Sequence, residues 1–467
     1  MSDEVVGATR ALAERLVALR TSPPPQHVLA RARHCLLDWT GVTVAGVTED
    51  AGRIAGDLAL DEAADGPCTL VGRPGRTTAQ LAALANGVAS HALDFDDGSS
   101  LMMGHPSVAV VPAALAVAEG RGASGRDLVT ATVAGIEAAS VVGVLVGKSH
   151  YVAGWHGTAT IGTFGAAAAA AHLLNLDVPQ TQHALGLAAT QAAGLKAMFG
   201  TMGKPFHAGR AAMSGVLAAQ LAARGFTVNP DAIEAEQGFA STGSTTFDPA
   251  APARELDDGE RYGVEAVSFK HHACCGGTHP TIDTLTRLRR QYDLTVDDIE
   301  DVRLRVSPLI AGMCAIEDPA SGLEGKFSIR YCAALALAGR GAGPQSFEDA
   351  AVQDPDIREL MARIATESID GDWTDVELEV RLRDGRTVRA TAESSSGETA
   401  GLRHLDGGEL RDEWTALAGK FDLLVTPRLG AEVAAELVGL IDALDDQPSL
   451  TALTNLLQPR AELPLVD

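Results

Sequence analysis

Five short polar segments interrupt otherwise apolar stretches of this 467-residue chain. A charge buried there without a partner costs on the order of several kcal/mol, so each segment needs a chemical or structural reason. The first is Asn86-Gly87-Val88-Ala89-Ser90-His91-Ala92-Leu93-Asp94-Phe95-Asp96-Asp97, followed by Gly104-His105-Pro106-Ser107. Three aspartates beside two histidines suit general acid/base work, because like charges raise one carboxyl and carboxylates stabilise an imidazolium. The alternative is a capped loop between helices, with Asp97 and Ser107 as caps. The second, Gly154-Trp155-His156-Gly157-Thr158, opens a helix. The positive end of a helix disfavours an imidazolium, so His156 is expected neutral, either as a base or acceptor or as a satisfied core histidine.

The third segment, Lys204-Pro205-Phe206-His207-Ala208-Gly209-Arg210, leads into an apolar helix over 211–223. Cations before a helix N-terminus, with its outward N–H groups, make a carboxylate site. It is not a phosphate loop, since Met198 stands at the required glycine and Pro205 replaces Ser/Thr. The fourth, Phe269-Lys270-His271-His272-Ala273-Cys274-Cys275-Gly276-Gly277-Thr278-His279-Pro280, superficially suggests zinc. Adjacent Cys and His residues converge poorly on one tetrahedral ion, and neither CxxC nor HxxxH spacing occurs, so no metal is expected. It reads instead as a loop at a domain junction, with Lys270 binding a carboxylate and Cys275 or His271 lining a pocket. In the fifth, Lys326-Phe327-Ser328-Ile329-Arg330-Tyr331, the Tyr331 hydroxyl either donates to an oxyanion or packs in the core with one hydrogen bond.

The elements that must position these residues are mostly helices. Residues 5–19 are amphipathic, Pro24 and Pro25 break the pattern, 27–44 resumes it, and successive helices continue to about 265. Alanine-rich stretches such as 165–174 let helices pack closely. After Phe269 a helix over 278–292 precedes a strand over 299–307, where Val302, Leu304 and Val306 alternate with Arg303 and Arg305. Residues 375–380 and 387–392 flank Asp384-Gly385, a tight hairpin turn. Helical spacing returns from 399 onward, clearest over 410–418 and 431–444. The expected fold is mainly α: a large helical domain from residues 1–266 and 398–467, and a smaller α+β domain over 267–397.

Composition narrows the function. The 46% hydrophobic content is enough to bury two cores, and 4% aromatics favour close helices. A net charge of −24 repels nucleic acid and anionic membranes. Any polyanion site must therefore be a local basic pocket. The uncharged run 128–147 approaches membrane-spanning length but carries Glu137, and reads as a core helix. The start lacks a signal-peptide layout and six cysteines do not make a disulfide framework, so a reducing cytoplasm is expected.

Together and in order, ANGVASHALDFDD, GHPS, GWHGTATIGTFGAAAAAAHLL, GKPFHAGRAA and GKFSIRY resemble the MmgE/PrpD family over nearly the whole chain. That family includes 2-methylcitrate dehydratase, cis-aconitate decarboxylase and iminodisuccinate epimerase. The resemblance implies a helical domain built from both chain ends, a smaller α+β lid, a homodimer without metal or organic cofactor, and an active site between the domains. It places that site at Asp94, His105, His156, Lys204, Lys270 and Tyr331. Two positions depart from the decarboxylase-like pattern, Cys275 for a histidine and Gly98 for a threonine, and the link from Asp97 to His105 is about one residue longer.

The chemistry expected is proton abstraction next to a carboxylate of a small polycarboxylic acid. Lys204, His207 and Lys270 would bind substrate, His156 or Asp94 would take the proton, His105 would protonate a leaving hydroxyl and Tyr331 would donate to the enediolate. An epimerase would need a second base, for which Cys275 is a candidate. A decarboxylase and a non-catalytic carboxylate-binding helical module are the other readings.

Overall fold

The computed structural model describes residues 7–256, 260–369, 375–392 and 402–459. The chain is mainly helical with a small sheet region. Its first part runs α1 (Ala8–Ala18), α2 (Gln26–Gly46), α3 (Asp50–Glu62), α4 (Ala79–Ala92), α5 (Ser107–Arg121), α6 (Gly125–Val152), α7 (Gly157–Leu173), α8 (Val178–Gln191) and α9 (Gly203–Ala222). Two-residue strands β1 (Cys68–Thr69) and β2 (Arg76–Thr77) pair before α4, and β3 (Gly98–Ser99) pairs with β4 (Val267–Ser268). The β3–β4 pairing is what fastens the first polar segment to the fourth, across about a third of the sequence.

Local chemistry explains the helix starts. Ser124 with Asp127, Asp177 with Gln180 and Asp406 with Glu409 form reciprocal capping boxes on α6, α8 and α18 (Gly407–Leu429). Small residues then set how close the helices come. Where α4 crosses α9, a Cβ on Gly87 would lie 2.6 Å from the Gly209 Cα. This crossing brings the end of α4, with Asp94, to the start of α9, with Lys204.

Residues 224–262 depart from the expected run of helices. They hold turns and, among the described residues, only α10 (Phe239–Gly243) and α11 (Ala251–Glu255), consistent with Gly225, Pro230, Pro249 and Pro252. The apolar helix of the third segment begins at Gly203, not near 211, so Lys204 lies in its first turn instead of before it. The apolar run of α6 is 94% buried over its most hydrophobic window, as a core helix is.

The later region contains α12 (His279–Gln291), α13 (Pro308–Met313), α14 (Gly322–Gly325), α15 (Ile329–Leu337), α16 (Asp349–Val352) and α17 (Pro355–Met361). A four-stranded sheet of order β6-β5-β7-β8 is built from β5 (Ile299–Val306), β6 (Ile364–Ser368), β7 (Val376–Leu382) and β8 (Thr387–Ala392). β5 pairs parallel with β6 and antiparallel with β7, and β7 turns into β8 at Gly385, whose φ is 88°. Val302, Leu304 and Val306 are buried as the alternation predicts. β6 was not anticipated; only Ile364 of its five residues is buried, so it carries no alternating signal.

α18, α19 (Ala431–Asp442) and α20 (Thr451–Leu456) close the described chain. α18 packs on α2, and residues of 28–269 and 417–457 share one apolar core. A second core joins the sheet and its helices to Leu93, Phe95, Tyr151 and Leu424. The expected boundary at 397/398 and the two chain termini lie outside the described residues.

Candidate active site

A cavity lies where the α4–α5 connection, the starts of α7 and α9, and the segment after β4 converge. Its wall carries Lys204, Lys270, His105 and His156 and, among the described residues, no aspartate or glutamate. Much of the remainder is apolar, including Tyr151, Phe199, Met313 and Phe327. In a chain of net charge −24, this is the local basic pocket that an anionic ligand requires.

Asp94 follows α4 in a left-handed conformation, φ 50°, which a short polar side chain tolerates. Its Oδ1 accepts from Lys204 Nζ at 2.5 Å and from Lys270 Nζ at 2.7 Å, and Lys270 also donates to the Asp94 carbonyl at 3.0 Å. Burial alone would raise this carboxyl, but Lys204 and then Lys270 outweigh it and hold it well below the usual carboxylate range. Asp94 therefore stays ionised and is a poor proton acceptor. It does not line the cavity, so its expected role as base is replaced by that of a buried anchor holding two lysines at the wall.

The turn carrying Asp94 is itself fixed from the fifth segment. Lys326 Nζ donates to the carbonyls of Ala92 at 3.2 Å and Leu93 at 2.8 Å, where a cation complements the C-terminus of α4. Burial lowers the Lys326 ammonium. That segment reaches the site through Lys326 and Phe327, not through Tyr331. The Tyr331 hydroxyl donates to the Ser346 carbonyl at 2.5 Å, its ring meets Phe347 edge-on, and burial raises its pKa well above that of an ordinary tyrosine, so the expected oxyanion donor is corrected to a core tyrosine.

Four histidines gather beside the lysines. His105 Nδ1 donates to the Asp97 carbonyl at 2.6 Å, with Asp96 Oδ2 at 3.1 Å, which leaves Nε2 as the nitrogen able to exchange a proton. Asp96 also accepts from His91 Nδ1 at 2.9 Å; burial by itself would raise Asp96, but the two imidazoles hold it well below its ordinary range. Burial drives His91 down to about 3, so it stays neutral. His156, at the start of α7, meets His207 Nδ1-to-Nδ1 at 3.0 Å. Burial, and next Lys204, push His156 well below the ordinary imidazole value, and burial lowers His207 to about 4. His207 thus stands behind His156 and is absent from the cavity wall, so its expected place as a substrate ligand becomes that of a partner to the imidazole.

A Cβ at Gly104 would strike the Thr158 backbone nitrogen at 2.6 Å, so only glycine lets the GHPS loop lie against the start of α7. That contact brings His105 to His156, with ring centroids 6.5 Å apart. Asp97 takes the capping role: it accepts the Ser107 N–H at 3.2 Å and bonds the Ser107 hydroxyl. Burial and then Asp38 raise it to about 8.

Cys275 lines the cavity beside Gly276 and Gly277, whereas His271 is exposed on a separate surface depression. The Cys314 thiol donates to Cys275, which lowers Cys275 and raises Cys314. Gly98 and Cys275, the two departures from the decarboxylase-like pattern, both face the cavity.

Sequence reasoning missed Lys420. From α18 its Nζ reaches Asp38 at 2.7 Å, the Phe95 carbonyl at 2.6 Å and the Lys270 carbonyl at 3.1 Å, over the Phe95 ring. A lysine in a helix gives no local signal of this; only its long-range hydrogen bonds reveal it.

The MmgE/PrpD N-terminal domain matches residues 10–251 and the MmgE/PrpD C-terminal domain matches residues 272–446. A cis-aconitate decarboxylase-like protein of Aspergillus oryzae is 28% identical, covering 88% of this chain and 90% of its own length. The cis-aconitate decarboxylase of Homo sapiens is 27% identical over 96% and 94%. That of Aspergillus terreus is 25% identical over 98% of each.

Proposed function

Because the chain belongs to the MmgE/PrpD family, we propose that it is a cofactor-independent lyase that eliminates water from a small hydroxylated polycarboxylate. The observation that carries this reading is the cavity wall: two lysines, two histidines and, among the described residues, no carboxylate, in a strongly acidic chain. Lys204 and Lys270 receive substrate carboxylates. A proton alpha to one of them is only weakly acidic, so removal needs the developing enediolate to face preorganised cations.

His156 is the base. It is neutral, and its Nε2 is free to accept only if its Nδ1–H donates to His207 Nδ1, which makes His207 the residue that fixes the tautomer. His105 Nε2 then protonates the departing hydroxyl. A carbon–hydrogen and a carbon–oxygen bond break, a carbon–carbon double bond forms, and water leaves.

Two of the relatives named above are cis-aconitate decarboxylases and the third is decarboxylase-like, and this supports decarboxylation as the second reading. Against it, the two departures from the decarboxylase-like pattern both sit on the cavity wall. Proton NMR in deuterated buffer with methylcitrate, citrate, cis-aconitate, itaconate and iminodisuccinate separates the outcomes. Dehydration gives an alkene and water, decarboxylation releases carbon dioxide, and epimerisation gives deuterium exchange without elimination. Lys204→Ala is expected to lower turnover on the order of 10²–10³-fold. Full activity in His105→Gln would overturn the assigned acid.

A further inference from the structure

A second cluster of ligating side chains lies away from the cavity, where the chain returns from the sheet to the helices. His27 is near the start of α2, Glu265 lies in the single helical turn Gly263–Ala266, and His404 shortly precedes α18. The Arg403 N–H donates to the Glu265 carbonyl at 3.1 Å, which fixes the returning chain beside that turn.

Glu265 is only 2% exposed. Its Oε2 accepts from the Tyr262 N–H at 2.9 Å and from Arg261 Nε at 3.3 Å, but its buried Oε1 has no hydrogen-bond partner. A carboxylate oxygen in that condition is costly and needs a reason. Oε1 faces His404 Nδ1 at 3.6 Å and His27 Nε2 at 3.8 Å, too far for good hydrogen bonds. The two imidazoles stand edge to face with centroids 4.8 Å apart, and the three donor atoms lie within 4.8 Å of one another.

We infer that His27, Glu265 and His404 form a zinc-class divalent metal site that clips the segment entering α18 onto α2 and the 263–266 turn. Donors bound to zinc at about 2.0–2.1 Å in a tetrahedron stand roughly 3.4 Å apart. The two gaps to Glu265 need to close by only a few tenths of an ångström. Two imidazoles and one carboxylate oxygen suit zinc or cobalt, whereas magnesium and calcium demand oxygen donors. His27 is partly exposed and His404 is exposed, so water completes the coordination and a chelator has access. Arg261 on the far carboxylate oxygen weakens the site's pull on a cation and keeps the metal exchangeable. None of the three residues lines the cavity, so the role is structural. Lys420, on the helix that the clip anchors, is the lysine that holds the Lys270 carbonyl.

The test is equilibrium dialysis of the EDTA-treated full chain against zinc chloride, read by elemental analysis, with cobalt absorption spectra and thermal midpoints alongside. Wild type is expected to bind one more zinc than His404→Ala and to gain thermal stability with zinc but not with magnesium. The affinity of this site should fall at least tenfold in the variant, roughly the loss of one good ligand. His404 is exposed, so its variant should fold; His27→Ala gives an independent second reading. A metal bound at His91, Asp96 and His105 would persist in both variants and is counted separately. Equal zinc binding and equal midpoints in wild type and His404→Ala would overturn the inference, as would no zinc in either.

Discussion

Asp94 is one carboxylate between two lysines, while Arg305 on the sheet is one guanidinium between two carboxylates, Glu367 at 3.2 Å and Glu377 at 3.4 Å. The side chain of Asp94 is 3% exposed and that of Arg305 is 42% exposed. In water the gain from pairing is small and screened by salt, so the sheet triad decorates a surface that is already held by its ladder. In the interior, removal of one partner strands the others. The same three-charge arrangement is therefore nearly dispensable in one place and obligatory in the other, and only the obligatory one borders the cavity.

The sharpest test of that contrast is Asp94→Asn. It leaves two buried ammonium groups facing each other, and is expected to cost about 3–5 kcal/mol in urea unfolding and to abolish turnover. A loss below about 1 kcal/mol would erase the difference between the regions.

Next is Lys420→Met, which keeps the aliphatic stem over Phe95 but drops the bonds to Asp38 and to the Phe95 and Lys270 carbonyls. Turnover should fall on the order of 10²-fold through misplacement of Lys270. Substrate KM should change as well, since Lys270 binds a carboxylate in this reading.

A smaller, pH-dependent effect belongs to Asp97. Its folded value of about 8 lies above the ordinary 3.8, so the native state keeps the proton while the unfolded chain releases it. Its contribution to stability is full below the ordinary carboxylate value and is lost as pH rises toward 8. Asp97→Asn removes this titration, so urea unfolding should show the variant gaining on wild type between pH 5 and 8 by at most about 1.4 kcal/mol per pH unit. His91 and His207, lowered to about 3 and about 4, have the opposite sense: their contribution falls as pH drops below the ordinary imidazole value of 6.5. Comparison of variant with wild type at each pH cancels those shared terms.

The smallest effect is expected for Arg305→Ala, with thermal midpoint and turnover unchanged within error at both low and high salt. A marked loss would show that the exposed triad matters to the fold as much as the buried one.

How much of this was legible depends on periodicity. Residues 299–306 and the Asp384-Gly385 turn were readable because alternation and turn chemistry are local. β6 was not, because its other four residues are exposed and its pairing to β5 crosses about 60 residues. In the site, His105, His156, Lys204, Lys270 and Cys275 were named from residue type and do share one cavity wall. Asp94 and Tyr331 were named by the same reasoning and do not reach it, one held by lysines and the other by the Ser346 carbonyl. Lys420 and Asp38 read as ordinary charged residues until their tertiary contacts distinguished them, and Lys326, which opens the fifth segment, was given no role of its own until its bonds to the end of α4 were seen.

The sequence by itself determined that the chain is mainly helical, that a hairpin follows the junction, and that a histidine opens α7, since helix starts and turns act over a few residues. Only the tertiary structure decided which cations share Asp94, because those partners lie 110 and 176 residues away. The same holds for the base assigned under the proposed reading, since burial, with Lys204 next, is what keeps His156 neutral. Charge pairing across such separations depends on where the helices cross, and Gly87 against Gly209 sets that crossing through packing.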